Sequence, residues 1–260
     1  MGYETLKLEY EGPIATITLN RPEKRNAISP RMIDDLLEAL GELETSAARI
    51  GVLTGAGKAF SAGMDLEALR TISSQSHAKN LEDSRRMAQL FRRLWGFPKV
   101  LIAAVNGAAL AGGCALATLP DFTLAAPEAT LGYTEVRIGF VPAIVSVFLR
   151  RRVGEAITRD LILTGRIFSA GEAQRLGLVN EVVDAASLMG RARELANTLL
   201  ANSPASLLAS KKLLIECEEP GIDREISLAI EANAAVRSTP DFQEGVTAFL
   251  EKRKPRWSGQ

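Results

Sequence analysis

The stretch Val100-Leu101-Ile102-Ala103-Ala104-Val105-Asn106-Gly107-Ala108-Ala109-Leu110-Ala111-Gly112-Gly113-Cys114-Ala115-Leu116 decides how this chain is built. Its first six residues form an apolar run of strand length, which predicts a buried strand. Asn106-Gly107 is turn chemistry. Gly112-Gly113 then opens a helix of small residues. The first turn of a helix carries free N–H groups and the positive end of the macrodipole. Glycine there lets a ligand approach the backbone closely. Downstream, Leu131-Gly132-Tyr133-Thr134 leads to a lone carboxylate, Glu135. Upstream, Gly55-Ala56-Gly57-Lys58-Ala59-Phe60-Ser61-Ala62-Gly63-Met64-Asp65-Leu66 repeats the arrangement after a second apolar strand, Ile50-Gly51-Val52-Leu53. Two such strand-to-helix junctions can aim two backbone N–H groups at one oxygen, which is how an oxyanion hole is made.

Outward from these junctions the patterns alternate between strand and helix. Leu6, Leu8 and Tyr10 predict a half-buried strand, and residues 14–19 its return partner. Ser29-Pro30 predicts a helix start, with Met32, Ile33, Leu36, Leu37 and Leu40 inward and Asp34, Asp35 and Glu38 outward. A further helix starts at Asp65. Residues 71–79 form a polar, mobile run that holds His77 as a solvated loop residue. Residues 80–95 predict a helix stopped by Gly96 and Pro98. Residues 121–126 predict a strand. Ser169 and Glu172 form a capping box for a short helix ending at Gly177, followed by strand pieces at 178–179 and 182–183. From about residue 185 the patterns are helical, with Ser203-Pro204 and Thr239-Pro240 as starts. The expected organisation is an α/β core over 1–185 and an α-helical C-terminal region over 186–260.

Composition limits the function classes. Lys+Arg and Asp+Glu both number 31, so the net charge is zero, which argues against a nucleic-acid protein held by bulk charge. The single histidine removes most Ser-His, Cys-His and His-rich metal mechanisms. Cys114 and Cys217 form no metal pair and are expected to be buried free thiols in a reducing compartment. The polar start and the lack of a long uncharged apolar run predict a cytoplasmic protein with no membrane span. Gly57 and Gly63 do not form a phosphate loop, because no Gly-Lys-Ser/Thr follows. Ser61 is a poor nucleophile candidate, since Ala59 occupies the first glycine position of a nucleophile elbow.

The order and spacing of Ala59-Phe60-Ser61-Ala62-Gly63-Met64-Asp65-Leu66, Asn106-Gly107 and Gly112-Gly113-Cys114 resemble the crotonase (enoyl-CoA hydratase/isomerase) superfamily. Residues 20–27 at the start and 249–255 at the end fit as well, so the resemblance covers essentially the whole chain. It implies a spiral of β-β-α units whose terminal helices pack into trimers, often paired as hexamers. It implies an acyl-CoA thioester substrate handled without a separate cofactor, coenzyme A being part of the substrate. The backbone N–H groups of Met64 and Gly112 would hold the thioester oxygen, and Glu135 would move the proton. Lys24, Arg25, Ala27, Ala62, Asp65 and Leu66 would meet the coenzyme A, joined by Lys252 reaching the CoA of a neighbouring subunit. Basic residues 252–256 also permit an RNA-binding reading, which the zero net charge and missing aromatic platform make distant.

Two departures leave the reaction open. Two-base hydratases carry a second glutamate where this chain has Ala115, and alanine cannot transfer a proton. One carboxylate suffices to move a double bond, so residue chemistry favours Δ3,Δ2-enoyl-CoA isomerisation. Against this, Glu135-Val136-Arg137-Ile138-Gly139 with Pro142-Ala143-Ile144 resembles methylglutaconyl-CoA hydratase-like members. Asp65 or Glu67 could substitute for the missing acid, although Asp65 also reads as a helix N-terminal residue. A CoA-thioester-binding protein with little turnover is the alternative from another class.

Overall fold

Each turn of the chain delivers one strand to each of two sheets. The computed structural model describes residues 2–72, 74–218 and 220–259. Met1 and Ser73, which fall in the polar start and the polar run discussed above, lie outside the described residues. Strands β1 (Leu6–Glu11) and β2 (Ile14–Leu19) form an antiparallel hairpin, with Leu6 opposite Leu19. Three turns follow. Strand β3 (Ile50–Gly55) leads into β4 (Ala59–Ser61), β5 (Val100–Val105) into β6 (Ala108–Leu110), and β7 (Phe122–Ala125) into β8 (Thr130–Gly132). The first of each pair joins a sheet ordered β1-β2-β3-β5-β7-β10, completed by β10 (Glu181–Val182). The second joins a smaller sheet, β4-β6-β8-β9, completed by β9 (Phe168–Ser169). This is the β-β-α spiral that the crotonase resemblance implies.

The large sheet is apolar on both faces because both are covered. Leu53, Leu101, Ala103 and Val105 face the main core. There they meet helices α1 (Pro30–Thr45), α3 (His77–Trp95) and α4 (Gly112–Thr118). Ile50, Val52, Val100, Ile102 and Ala104, one residue out of phase, meet Leu188, Ala192, Ala196 and Leu199 of α7 (Leu188–Leu200). The period of two along each strand sorts these residues between the two layers. Helix α7 therefore serves as the outer cover of the sheet. Helix α9 (Ile222–Val236) packs on α3 and on α5 (Ala143–Thr164), and α10 (Pro240–Leu250) packs on the 3-10 turn Glu135–Ile138. The change of character near residue 185 is a change of pattern, and packing contacts run across it.

Several local expectations change in three dimensions. Asp35, expected outward, is wholly buried: its carboxylate accepts from the Thr5 amide (2.9 Å) and hydroxyl (2.7 Å) and pairs with Arg31. Helix α1 presents that side to the start of β1, where a turn of free N–H groups needs an acceptor. His77 is exposed but helical, because Ser76 caps α3 through the Lys79 amide and starts it earlier. Only half of the Ser169 capping box forms. Ser169 Oγ accepts the Glu172 amide, but the Glu172 carboxylate turns to Arg166 at 2.6 Å. Cys114 is a buried free thiol as expected, whereas Cys217 is exposed on α8 (Pro204–Glu218). Helix α5 had no sequence signal. Its first turns are buried nearly all round, three arginines follow, and Gly154 leaves the helical region at φ 76°, so no single amphipathic stripe marks it.

Candidate functional site

Parallel pairing of β4 with β6, Ala59 opposite Ala108 and Ser61 opposite Ala109, brings the two glycine-bounded junctions side by side. The approach is too close for side chains. A Cβ on Gly113 would sit 2.4 Å from the Ser61 carbonyl oxygen, and one on Gly63 (φ 88°) 2.9 Å from the Leu110 oxygen. Ile28 brackets the first junction. Its amide donates to the Gly63 oxygen (2.7 Å) and its oxygen accepts the Asp65 amide (2.9 Å), so the Met64 N–H between them is left over. At the second junction Ala111 is held at φ 49°, ψ −125°, a conformation strained for a residue with a Cβ. It turns the Gly112 N–H out of the helix that Cys114 and Ala115 close onto the Ala111 oxygen. Among the described residues neither the Met64 nor the Gly112 N–H has an internal acceptor. Both residues line the same cavity, about 800 Å³ in volume. Ser61 is spoken for: it is buried and its hydroxyl donates to the Asn26 oxygen at 2.8 Å.

Glu135 lines this cavity as the first residue of the 3-10 turn that follows β8. It is 9% exposed, and its Oε2 has no partner among the described residues. Burial pushes its carboxyl up to about 7, only partly offset by its own amide. Ile138 and Phe140 line the cavity beside it, whereas Leu131 is packed in the core. Arg137 is exposed, and no ion pair links it to Glu135. The other carboxylates on the cavity wall are engaged. Asp34 pairs with Arg86, Asp65 with Arg21 (2.7 Å), Glu67 with Lys24 (2.7 Å), Glu82 with Lys79 (3.0 Å), and Asp83 with Lys79 and Arg237. Glu135 alone among these lining carboxylates has no cationic partner.

Neither proposed stand-in for the missing acid is free. Asp65 caps α2 (Leu66–Ile72) by accepting the Glu67 amide at 2.9 Å. Burial pushes its carboxyl up, but that amide and the Arg21 guanidinium outweigh the effect and hold it below the usual range. Glu67 reaches outward to Lys24. Ala115 is wholly buried among core residues and does not line the cavity.

The residues expected to meet coenzyme A divide into two places. The loop carrying Lys24, Arg25 and Ala27 is strapped to the Ala62–Leu66 segment by the Ala62 amide, which donates to the Arg25 oxygen at 2.9 Å. Ala62 and Asp65 line the cavity, and exposed Lys24, Arg25 and Leu66 stand at its rim with buried Ala27 behind. Lys252 is exposed beyond α10 and does not line the cavity, although Phe249, three residues earlier, does. Sequence reasoning missed Arg21, which fixes this rim by donating to the Ala27 oxygen (2.7 Å) and pairing with Asp65. It also missed Asn233 and Arg237, both on the cavity wall. Their signal was present: the inward stripe of α9 runs Ile222, Ile226, Ala229, Asn233, and the same spacing reaches Arg237.

Comparison with known proteins places the whole chain in one family. The family model "Enoyl-CoA hydratase/isomerase" matches residues 9–260. The chain is 37% identical to the short-chain-enoyl-CoA hydratase of Clostridium acetobutylicum over 98% of this chain and 97% of that one. It is 35% identical to the crotonyl-CoA hydratase of Syntrophomonas wolfei, with 98% of each chain covered. The crystal structure of an enoyl-CoA hydratase from Mycobacterium avium superposes with a TM-score of 0.87 at 31% identity, covering 98% of this chain and 99% of that one. With matches that run from end to end and a fold that superposes throughout, the chain belongs to the enoyl-CoA hydratase/isomerase family and to its class of enzymes.

Proposed function

We propose that the protein adds water across the double bond of a trans-2-enoyl-CoA thioester, with Glu135 as the one proton-transferring side chain. The observation that carries this reading is the buried, unpaired Glu135 carboxyl in the same cavity as two unused backbone N–H groups. The thioester oxygen accepts from Met64 and Gly112. As water adds at C3, Glu135 takes its proton and negative charge builds on that oxygen, where the two donors hold it more strongly than in the ground state. Glu135 then returns the proton to C2, which gives the 3-hydroxyacyl thioester and restores the carboxylate. One carboxyl close to neutral pKa can serve both transfers. Coenzyme A enters as part of the substrate over the rim of Lys24, Arg25, Ala27, Ala62, Asp65 and Leu66.

The enzyme works in this reading as a cytoplasmic trimer or hexamer. Leu208, Leu213 and Leu214 on α8 and Leu228 on α9 are 40–70% exposed, an apolar surface suited to cover by another copy. In that assembly Lys252 reaches a neighbouring subunit's coenzyme A. Among the described residues no helix is long and apolar enough to cross a membrane.

Mass analysis of products tests the reaction. Trans-2-enoyl-CoA substrates should gain one water. A mass-neutral shift of 3-enoyl substrates, with no hydration of the 2-enoyl series, would replace this reading with isomerisation. Binding without any conversion would leave a thioester-binding protein.

A further inference from the structure

Arg237 is a buried cation in the wall of the cavity. It is 3% exposed. Its guanidinium lies over the Phe140 ring at 5.4 Å, five residues along the chain from Glu135. Two of its nitrogens are held by neutral amides: NH2 donates to Asn233 Oδ1 (3.0 Å) and NH1 to Asn80 Oδ1 (3.4 Å). Asn233 is fixed in turn by the Ser84 hydroxyl (2.8 Å) and by donating to the Val141 oxygen (3.2 Å). The third donor, Nε, has no partner among the described residues.

The counter-charge is weak. Asp83 lies 3.7 Å from Arg237, and its other oxygen faces Lys79 at 3.6 Å. By contrast Arg86 and Lys79, on the same wall, hold close carboxylates. A buried guanidinium without a close carboxylate carries a desolvation cost that a ligand anion would offset. The neutral amides fix its position without cancelling its charge, which suits a site waiting for an anion.

We propose that Arg237 and Asn233 form a subsite for a carboxylate at the far end of the acyl chain, so that the substrate class is an ω-carboxylated 2-enoyl-CoA. The incoming carboxylate takes the place of Asp83 as the close partner of Arg237, and Asp83 stays with Lys79. Phe140 and Val141 contact the methylene chain between the double bond and the carboxylate. This rests on the thioester reading above and specifies its acyl group.

The test compares wild-type turnover of a plain 2-enoyl-CoA with that of the 2-enoyl-CoA of equal chain length ending in a carboxylate. The expected result is a kcat/KM roughly tenfold or more higher for the carboxylated substrate, seen mainly in KM, as for a charge-assisted contact. Arg237→Met should cut the carboxylated substrate's kcat/KM by a similar factor and the plain substrate's by much less, and Arg237→Lys should recover part of the loss. Equal wild-type kcat/KM values would overturn the proposal, as would an Arg237→Met variant that loses both substrates alike. The wild-type comparison decides alone if Arg237→Met does not fold. If neither substrate is hydrated, the proposed reaction fails, and calorimetric binding of the two saturated acyl-CoA analogues still decides the subsite: tighter binding of the carboxylated one supports it, and equal binding overturns it.

Discussion

The two walls of the cavity are made of different material. One is backbone: the ends of β4 and β6, where glycines let two chains approach and leave the Met64 and Gly112 N–H groups unused. The other is side chain: Glu135 on its 3-10 turn with Phe140 just after it, and Asn233 and Arg237 from a segment about a hundred residues further on. The backbone wall depends on where the main chain runs and tolerates changes of side chain that leave the path intact. The side-chain wall depends on the identity and surroundings of each group. The contrast therefore predicts which substitutions destroy activity and which pass unnoticed.

The largest effect is expected on the side-chain wall. Glu135→Gln should lower kcat by about 10²–10⁴-fold with little change in acyl-CoA affinity, read by steady-state kinetics and calorimetry. Unchanged turnover would remove Glu135 from the reaction. The same residue sets a pH dependence. Its folded-state pKa of about 7 lies above the ordinary 4.5, so between those values the folded chain holds a proton that the unfolded chain has released. Stability therefore falls as pH rises through this window, by roughly 3 kcal/mol in all. Glu135→Gln should abolish that slope and be the more stable form above pH 7, while wild-type kcat/KM should rise through about pH 7 as the base ionises.

On the backbone wall the sharpest break is Gly113→Ala, since the added Cβ would meet the Ser61 oxygen at 2.4 Å. The β4–β6 junctions must separate, and kcat should fall about 10²-fold or more, as on loss of one oxyanion donor. A folded variant with normal kcat would show that the donors are not held by this contact. Ala115→Glu tests what lies behind the same wall. Ala115 is wholly buried outside the cavity, so the carboxylate should cost about 3 kcal/mol of stability, read by denaturant unfolding, and should not raise hydration. A stable variant with faster hydration would mean that the missing second acid can be restored here. The smallest effect is expected for Met64→Leu. Only the Met64 amide is assigned a role, so kcat should stay within about threefold and stability within about 1.5 kcal/mol.

The backbone wall was readable in the residues because its signals are local. Strand, Asn-Gly turn and Gly-Gly helix start follow one another within residues 100–116 and expose the Gly112 N–H, while the family resemblance supplied Met64 as its counterpart. Glu135 was readable only through the family resemblance, since nothing adjacent to it marks a buried carboxyl. Arg21 was hidden in a turn, and its Asp65 partner lies on another loop. Asn233 and Arg237 were hidden by distance, because their partners Asn80, Ser84 and Val141 lie on α3 and just before α5, a helix with no amphipathic stripe.

By itself the sequence determined the elements with short-range causes: the alternating strands, the Ser29 and Thr239 helix caps, and the two glycine junctions. Propensity, capping and positive-φ requirements act over a few residues and leave their mark in residue type. Tertiary structure decided what depends on desolvation and on meetings between distant segments. It decided that Glu135 is buried without a cation, that Asp65 and Glu67 are already paired, and that Ala115 lies outside the cavity. A carboxyl's pKa and a guanidinium's counter-ion depend on every element packed around them, and that environment exists only once the helices from both ends of the chain have closed over the sheet.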